Sequence, residues 1–145
     1  MIVIDASVAV KWFVEEHDSN LAKQLLADER DNLCIPDIFV VEVSATLVRE
    51  ANSNKADGRI FRGGLYHLID MIDQQSLRLV RTPPRQIMDA GNLAIDLGHP
   101  LKDCIYLALA MELDCDLVTC DAKFAAKAKG VWGRVRVLGI DTFRI

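Results

Sequence analysis

The segment Leu101–Phe124, LKDCIYLALAMELDCDLVTCDAKF, limits the fold more than any other part of the chain. Leu107, Ala108 and Met111 recur at helical spacing, whereas Leu117–Cys120 is a short apolar run that contains residues favouring β structure. The segment therefore predicts a helix that leads directly into a buried strand. Open α/β sheets repeat this unit, and they build their binding sites where the strands end.

The same alternation of strands and helices extends along the chain. Short apolar runs predict five strands, at Ile2–Asp5, Asn32–Ile35, Leu77–Val80, Leu117–Cys120 and Val135–Leu138. Besides the helix that begins near Leu101, helical periodicity predicts others at Ala6–Glu15, Asp18–Arg30, Asp37–Ala51, Arg59–Gln74, Gln86–Leu97 and Ala122–Lys129. We expect one α/β domain over residues 1–145, with a parallel sheet of about five strands and helices on both faces.

The helix predicted over Asp37–Ala51 carries an acid among apolar residues. Its predicted apolar face consists of Ile38, Val41, Ala45 and Val48. Glu42 lies one turn from Ile38 and from Ala45, so we expect it on the buried side of the helix or at its edge. A buried carboxylate without a partner is costly, and Arg49 is two turns away, too far for an i,i+4 pair. The sequence therefore predicts that Glu42 pairs with a metal cation or with a distant basic residue.

Composition places the chain among ordinary globular proteins. The 145 residues are 51% hydrophobic and 26% charged, enough for one domain with a core and too apolar for disorder. No signal peptide is expected because Asp5 interrupts the N-terminal apolar run, and the run Cys104–Met111 is too short to cross a bilayer. We therefore expect a cytoplasmic protein. The net charge of −4 argues against a broad nucleic-acid-binding surface but not against a local one.

The cysteines and histidines form no recognisable metal-binding pattern. Cys34, Cys104, Cys115 and Cys120 contain no CxxC pair, so we expect small buried side chains in a reducing compartment. His17, His67 and His99 are scattered along the chain rather than placed at the spacing of zinc ligands. A zinc site is therefore not predicted.

Carboxylates stand where the predicted sheet would build a site. Asp5 ends the first strand, Asp121 follows the fourth, and Asp103 lies in the first turn of a helix. Each alone would be explained as a helix cap or a first-turn acid. In a doubly wound parallel sheet, however, Asp5 and Asp121 would be neighbours, and Glu42 and Asp103 would lie at the same edge. Four carboxylates repel one another without a counter-ion, and such hard oxygen ligands suit Mg²⁺ or Mn²⁺.

Three segments of the chain together resemble one family. They are IVIDASVAVKWF at 2–13, PDIFVVEVSATL at 36–47 and HPLKDCIYLALAMELDCDLVTCDAKF at 99–124. In this order and spacing the chain resembles the PIN-domain ribonucleases, and most closely the VapC-like toxins of toxin–antitoxin pairs. The set spans almost the whole chain and is far more specific than any single acid.

The resemblance implies a fold, an activity and a set of site residues. Asp5, Glu42, Asp103 and Asp121 would be the metal-site acids, and Ser7 and Thr119 match the hydroxyl positions beside them. The implied fold is a parallel five-stranded sheet between helices. The implied activity is Mg²⁺- or Mn²⁺-dependent cleavage of RNA by a homodimer, with an antitoxin peptide as the usual inhibitor.

Basic residues offer a route for RNA without defining one. One group lies around a predicted helix junction and consists of Arg49, Lys55, Arg59 and Arg62. A second follows the last acid and consists of Lys123, Lys127, Lys129, Arg134 and Arg136. For most of them we expect solvated charge, with a few holding backbone phosphates.

Other families and functions fit the residues less well. A haloacid-dehalogenase-type phosphatase would need a second acid two residues after Asp5, where Ser7 stands. A response-regulator receiver domain would need an Asp after the third strand, where Arg81 stands. Two alternatives with the same fold stay open: a housekeeping RNA-processing nuclease, and a noncatalytic PIN-like binding module, which would be expected to lose acids that this chain keeps. The small single domain favours the toxin.

Overall fold

Five parallel strands and the helices between them make up the protein, in a computed structural model that describes residues 1–53 and 58–141. The strands are β1 (Ile2–Ile4), β2 (Leu33–Pro36), β3 (Leu77–Val80), β4 (Asp116–Thr119) and β5 (Val135–Val137). The helices of the described residues are α1 (Ala6–Phe13), α2 (Ser19–Asp28), α3 (Ile38–Ser53), α4 (Gly58–Asp73), α5 (Pro84–Leu97), α6 (Leu101–Leu113) and α7 (Ala122–Ala128).

The sheet has the order β3-β2-β1-β4-β5, and every pairing in it is parallel. The predicted parallel α/β fold is therefore confirmed. Val3 and Ile4 on the central strand point to opposite faces of the sheet, and both are fully buried, so helices cover both faces. Ile4 pairs with Val118, which brings the ends of β1 and β4 together at one edge.

Most predicted boundaries differ from the observed ones by one or two residues. The first helix was predicted to reach Glu15 but ends at Phe13, because Val14 has an extended backbone with φ −122° and ψ 123°. The second was predicted to include Asp18, but Asp18 has φ +65°, outside the helical region, and the helix starts at Ser19. These shifts leave the order and the type of the elements unchanged.

Helix α6 lies at the centre of the core. It packs against β1, β2, β4 and α5. All seven residues from Cys104 to Ala110 are buried, so the helix is covered on every side, as expected for a helix that is apolar all round. Tyr106, in the middle of this stretch, is only 1% exposed.

The predicted apolar face of α3 is wrong except for Ile38, which packs against the core. Val41 is 68% exposed and Val48 47% exposed, whereas the neighbouring series Phe39, Val43 and Leu47 is fully buried. Both series have helical spacing and apolar side chains, so periodicity alone does not choose between them. The choice is made by packing, because α3 lies against α1 and α4 and presents the bulkier series to them.

Other predictions about burial hold in the structure. Cys34, Cys104 and Cys115 are free and buried, and Cys120 is free and half-buried. The α4 residues Phe61, Leu65 and Ile72 pack against the core, and Leu68 belongs to it. The gap between the helices predicted at Asp37–Ala51 and Arg59–Gln74 falls largely on residues 54–57, which lie outside the described residues. Over the part of the chain that is described, no helix has the length and apolarity needed to cross a membrane.

Candidate metal centre

The four predicted acids lie in one cleft at the carboxyl ends of the strands. The cleft has a volume of about 400 Å³, and its lining includes Asp5, Glu42, Asp103 and Asp121. Asp5 directly follows β1, and Asp121 comes just after the paired strand β4. Asp103 comes from the first turn of α6, and Glu42 from α3. Elements far apart in sequence therefore bring four carboxylates to one place.

Asp5 is the most deeply buried of these acids, with 4% of its surface exposed. Its Oδ1 accepts hydrogen bonds from the backbone N–H of Ser7, at 3.0 Å, and from the Ser7 hydroxyl, and so caps α1. Burial raises the pKa of Asp5 to about 6, against the hydrogen bonds from Ser7 and Thr119 that lower it, and the negative charge of Asp103 adds to the rise. A positive ion in the cleft would relieve this cost.

The hydroxyls of Ser7 and Thr119 join the two strand ends. Ser7 Oγ accepts a hydrogen bond of 3.0 Å from the backbone N–H of Cys120, which ties the start of α1 to the end of β4. Thr119 Oγ1 accepts one of 3.0 Å from the N–H of Asp121. Both hydroxyls therefore hold the backbone that carries the acids.

Glu42 has two partners that the sequence did not identify. Tyr106 donates its phenolic hydrogen to Oε1 of Glu42 at 2.7 Å, and Lys102 Nζ lies 3.6 Å from Oε2. The carboxylate side chain is 17% exposed, so it faces the cleft from a largely enclosed position. Of the two predicted partners of Glu42, the distant basic residue is Lys102. The other predicted partner, a metal cation, could still bind because the Glu42 side chain lines the cleft.

His99 lies beside the four acids although the sequence pattern did not indicate it as a site residue. Its Nε2 lies 2.6 Å from Oδ2 of Asp103, an i,i+4 contact between the start of α6 and the loop before it. Ligand atoms of His99, Asp103 and Asp121 all lie within 4.8 Å of one another, a group that could hold a metal ion. The i,i+4 spacing is visible in the sequence, but a single histidine at that spacing does not form a zinc-ligand pattern.

Asp121 is the exposed member of the site. Its Oδ1 accepts a hydrogen bond of 3.0 Å from the backbone N–H of Phe124 and caps α7. The capping role and the position at the cleft are compatible, because a carboxylate has two oxygens with several lone pairs.

Some of the basic residues line the cleft, and others form ion pairs elsewhere on the surface. Arg49 and Lys102 line the cleft. Arg134 and Arg136 both pair with Asp116, and Lys129 pairs with Asp141. Arg59 and Arg62 are exposed on α4, and Lys55 lies outside the described residues. Arg49 and Lys102 therefore place positive charge at the rim of the cleft.

The donor set fits a divalent cation that prefers oxygen. Carboxylates dominate the cleft, and the buried one among them has a raised pKa. Mg²⁺ and Mn²⁺ favour carboxylate and water ligands and leave coordination positions open. The arrangement can thus hold a hydrated divalent ion at the edge of the sheet.

Comparison with known families decides the classification. The family model described as PIN domain matches residues 2–130. The chain belongs to the PIN-domain family. The match begins with β1 and extends past α7, so the PIN domain includes all four acids of the cleft. No curated protein sequence matches the chain.

Solved structures share this PIN fold at low sequence identity. PAE2754 from Pyrobaculum aerophilum superposes with a TM-score of 0.67 at 21% identity, over 94% of this chain and 87% of that one. A toxin–antitoxin complex from Klebsiella pneumoniae gives 0.63 at 18% identity, over 94% and 96%. Mycobacterium tuberculosis VapC20, described as a sarcin-ricin loop cleaving toxin, gives 0.67 at 14% identity, over 87% and 94%.

Proposed function

We propose that this PIN domain is a metal-dependent endoribonuclease that hydrolyses phosphodiester bonds of RNA. The observation that carries the proposal is the convergence of Asp5, Glu42, Asp103 and Asp121 on one cleft at the edge of the sheet. These four residues would hold Mg²⁺ or Mn²⁺. The bound ion supplies a water of lowered pKa and positive charge beside the phosphodiester.

The protein's own side chains have defined tasks in this proposal. Tyr106 fixes the orientation of Glu42 by its hydrogen bond, and Ser7 and Thr119 hold the strand ends that carry Asp5 and Asp121. Lys102 and Arg49 at the rim offer positive charge to the phosphates of the substrate. Contacts of that kind position a nucleic acid without reading its sequence.

The activity is tested by incubating purified protein with single-stranded RNA in Mg²⁺, Mn²⁺ or EDTA. We expect cleavage that needs the metal and is abolished in Asp103→Asn. Asp96→Asn, a change of an exposed acid on α5, is the matched control and should cleave normally. Cleavage that survives EDTA or persists in Asp103→Asn would overturn the mechanism. An inactive protein with all four acids in place would instead point to a binding module.

We further propose that the nuclease is the cytoplasmic toxin of a toxin–antitoxin pair. The support is membership of the PIN-domain family together with fold similarity to a protein of a toxin–antitoxin complex and to a toxin described as cleaving the sarcin-ricin loop. An antitoxin would close the cleft, and an Arg side chain is suited to this because its guanidinium pairs with carboxylates in a bidentate manner.

Expression in a bacterial host tests the toxin role. Induction of the wild-type chain alone should arrest growth, and Asp103→Asn should relieve the arrest at equal protein level. Normal growth with abundant protein that is active on RNA would favour a housekeeping nuclease. We also propose a homodimer in solution, which light scattering at micromolar concentration would detect; a monomeric mass would contradict it.

A further inference from the structure

We infer that His99 is a positioning residue for Asp103: it holds one carboxylate oxygen by a hydrogen bond and leaves the other free for the metal ion. The inference rests on the proposed function, and it adds a residue from outside the four acids. The one contact that carries it is the distance of 2.6 Å between His99 Nε2 and Asp103 Oδ2.

The direction of this hydrogen bond follows from the chemistry of the partners. An ionised carboxylate only accepts hydrogen bonds, so the Nε2 of His99 carries the hydrogen and donates it. The His99 side chain is 9% exposed and that of Asp103 31% exposed. Water therefore competes little for the imidazole, which holds Oδ2 of Asp103, and Asp103 lines the cleft.

Besides its contact with Asp103, the imidazole of His99 is held by an aromatic ring. Its ring packs on the ring of Phe124, with centroids 4.7 Å apart and an interplanar angle of 34°, and Phe124 is fully buried. The backbone N–H of Phe124 donates a hydrogen bond of 3.0 Å to Oδ1 of Asp121. His99 thus connects Asp103, through the ring of Phe124, to the residue that holds Asp121.

The loop that carries His99 is also held in place. The backbone N–H of His99 donates to the carbonyl of Ala94 at 3.0 Å, after Gly98 has turned the chain with φ +62°, a conformation that favours glycine. Lys127 Nζ donates to the Gly98 carbonyl at 3.0 Å. Hydrogen bonds on the two adjacent residues Gly98 and His99 therefore limit the movement of the backbone that carries the imidazole.

The geometry indicates that His99 orients Asp103 rather than binding the metal ion itself. Among the described residues, those lining the cleft include Asp103 and Asp121 but not His99. The nitrogen nearest the metal-site acids is already engaged with Asp103. Outer residues that orient ligands in this way commonly change metal affinity about 10–100-fold when they are mutated.

Two substitutions separate the hydrogen bond from the packing. His99→Phe keeps an aromatic ring against Phe124 and removes the donor. His99→Gln removes the ring and keeps a side-chain N–H at a similar distance from the backbone. The Mn²⁺ dissociation constant is measured by electron paramagnetic resonance of free Mn²⁺, without RNA, and thermal melting without metal checks that each variant is folded. His67→Phe, at an exposed histidine that packs edge-on against Phe13, is the control.

We expect His99→Phe to bind Mn²⁺ about 10–100-fold more weakly, and His99→Gln and His67→Phe to bind close to the wild-type affinity. Wild-type affinity in His99→Phe, or equal losses in both His99 variants, would overturn the inference. Electron spin echo envelope modulation of wild-type protein with Mn²⁺ should show no ¹⁴N coupling. A coupling that disappears in His99→Phe would make His99 a ligand and overturn the positioning role.

The result is separable from that of the proposed function. Wild-type protein that binds Mn²⁺ and cleaves no RNA would overturn the nuclease and leave the role of His99 standing. Metal-dependent cleavage combined with normal Mn²⁺ binding by His99→Phe would overturn the inference alone. Wild-type protein that binds neither Mn²⁺ nor Mg²⁺ would overturn both.

Discussion

The hydroxyl of Tyr106 donates a hydrogen bond of 2.7 Å to Oε1 of Glu42, and so connects the buried helix α6 to the acid on α3. Burial, followed by the hydrogen bond to Glu42, raises the pKa of Tyr106. The phenol therefore keeps its hydrogen throughout the pH range in which the protein would be assayed. Glu42 owes its orientation in the cleft to a residue 64 positions away in sequence.

Removing this hydroxyl tests its contribution to stability. Tyr106→Phe leaves a mostly buried carboxylate without its donor, and hydrogen bonds to charged groups contribute about 1.5–3 kcal/mol. We expect the free energy of unfolding to fall by an amount in that range, measured by urea denaturation. Tyr66→Phe, at a tyrosine that is 73% exposed, should change it little. Equal effects of the two substitutions would show that the hydrogen bond does not stabilise the fold.

The buried Asp5 predicts an unusual pH dependence of the metal-free protein. Burial raises its pKa from 3.8 to about 6, so the folded state binds this proton more tightly than the unfolded chain does. The ionised Asp5 therefore lowers the free energy of unfolding. This loss is absent below about pH 4, grows as the pH rises, and reaches about 3 kcal/mol above pH 6. Asp5→Asn should therefore stabilise the metal-free protein at pH 7 by an amount of this order.

The comparison of Asp5→Asn with wild type should be made across pH in EDTA. The difference in the free energy of unfolding should be largest near neutral pH and shrink as the pH falls through the window between the two pKa values. Asp96→Asn serves as the control at an exposed acid. A difference that is constant with pH, or a destabilised Asp5→Asn, would contradict the predicted sign.

Asp121 allows capping and metal binding to be separated. Asn caps a helix about as well as Asp, whereas Ala loses about 1 kcal/mol. We expect Asp121→Asn to melt without metal close to wild type, and Asp121→Ala to melt at a lower temperature. In Mn²⁺ at about a hundredfold excess over the dissociation constant, wild type should gain about 2.7 kcal/mol, and both variants clearly less. An unchanged gain in Asp121→Asn would limit Asp121 to its role as a cap.

Asp116 gives a prediction of the opposite sign to that of Asp5. Burial acts to raise its pKa, but hydrogen bonds from Arg134 and Arg136 outweigh burial and lower it. The ionised Asp116 and its two arginines therefore stabilise the fold above the normal pKa of Asp, and this contribution is lost as the pH falls through the lowered pKa. Because both arginines are well exposed, Asp116→Asn should cost on the order of 0.5–1 kcal/mol at pH 7. Chemical denaturation at pH 7 measures it, and no loss would contradict the prediction.

The sequence was sufficient for the fold and for the meeting of the strand ends. Short apolar runs alternating with helical segments identify each strand, and a parallel, doubly wound arrangement then places Asp5 beside the end of β4. These inferences depend on local pattern and on a general rule of topology. Neither requires knowledge of a particular contact between side chains.

The contacts around the acids could not be predicted in the same way. Glu42 is held by Tyr106, and the choice between the two apolar series of α3 depends on how that helix packs against α1 and α4. Both depend on tertiary distances that periodicity does not contain. His99 is a different case, because its i,i+4 spacing from Asp103 is visible in the sequence, but a single histidine at that spacing does not by itself indicate a metal site.

The carboxylates of Asp5 and Asp121 face the cleft and also begin the helices α1 and α7. The amide oxygen of an Asn could cap either helix as well as a carboxylate oxygen does, but it has no negative charge to attract a cation. Under the proposed function, exchanging one carboxylate oxygen for an amino group at either position would weaken metal binding and leave the backbone unchanged. Two PIN domains with superimposable backbones would then differ in their affinity for a divalent cation through the identity of these two side chains.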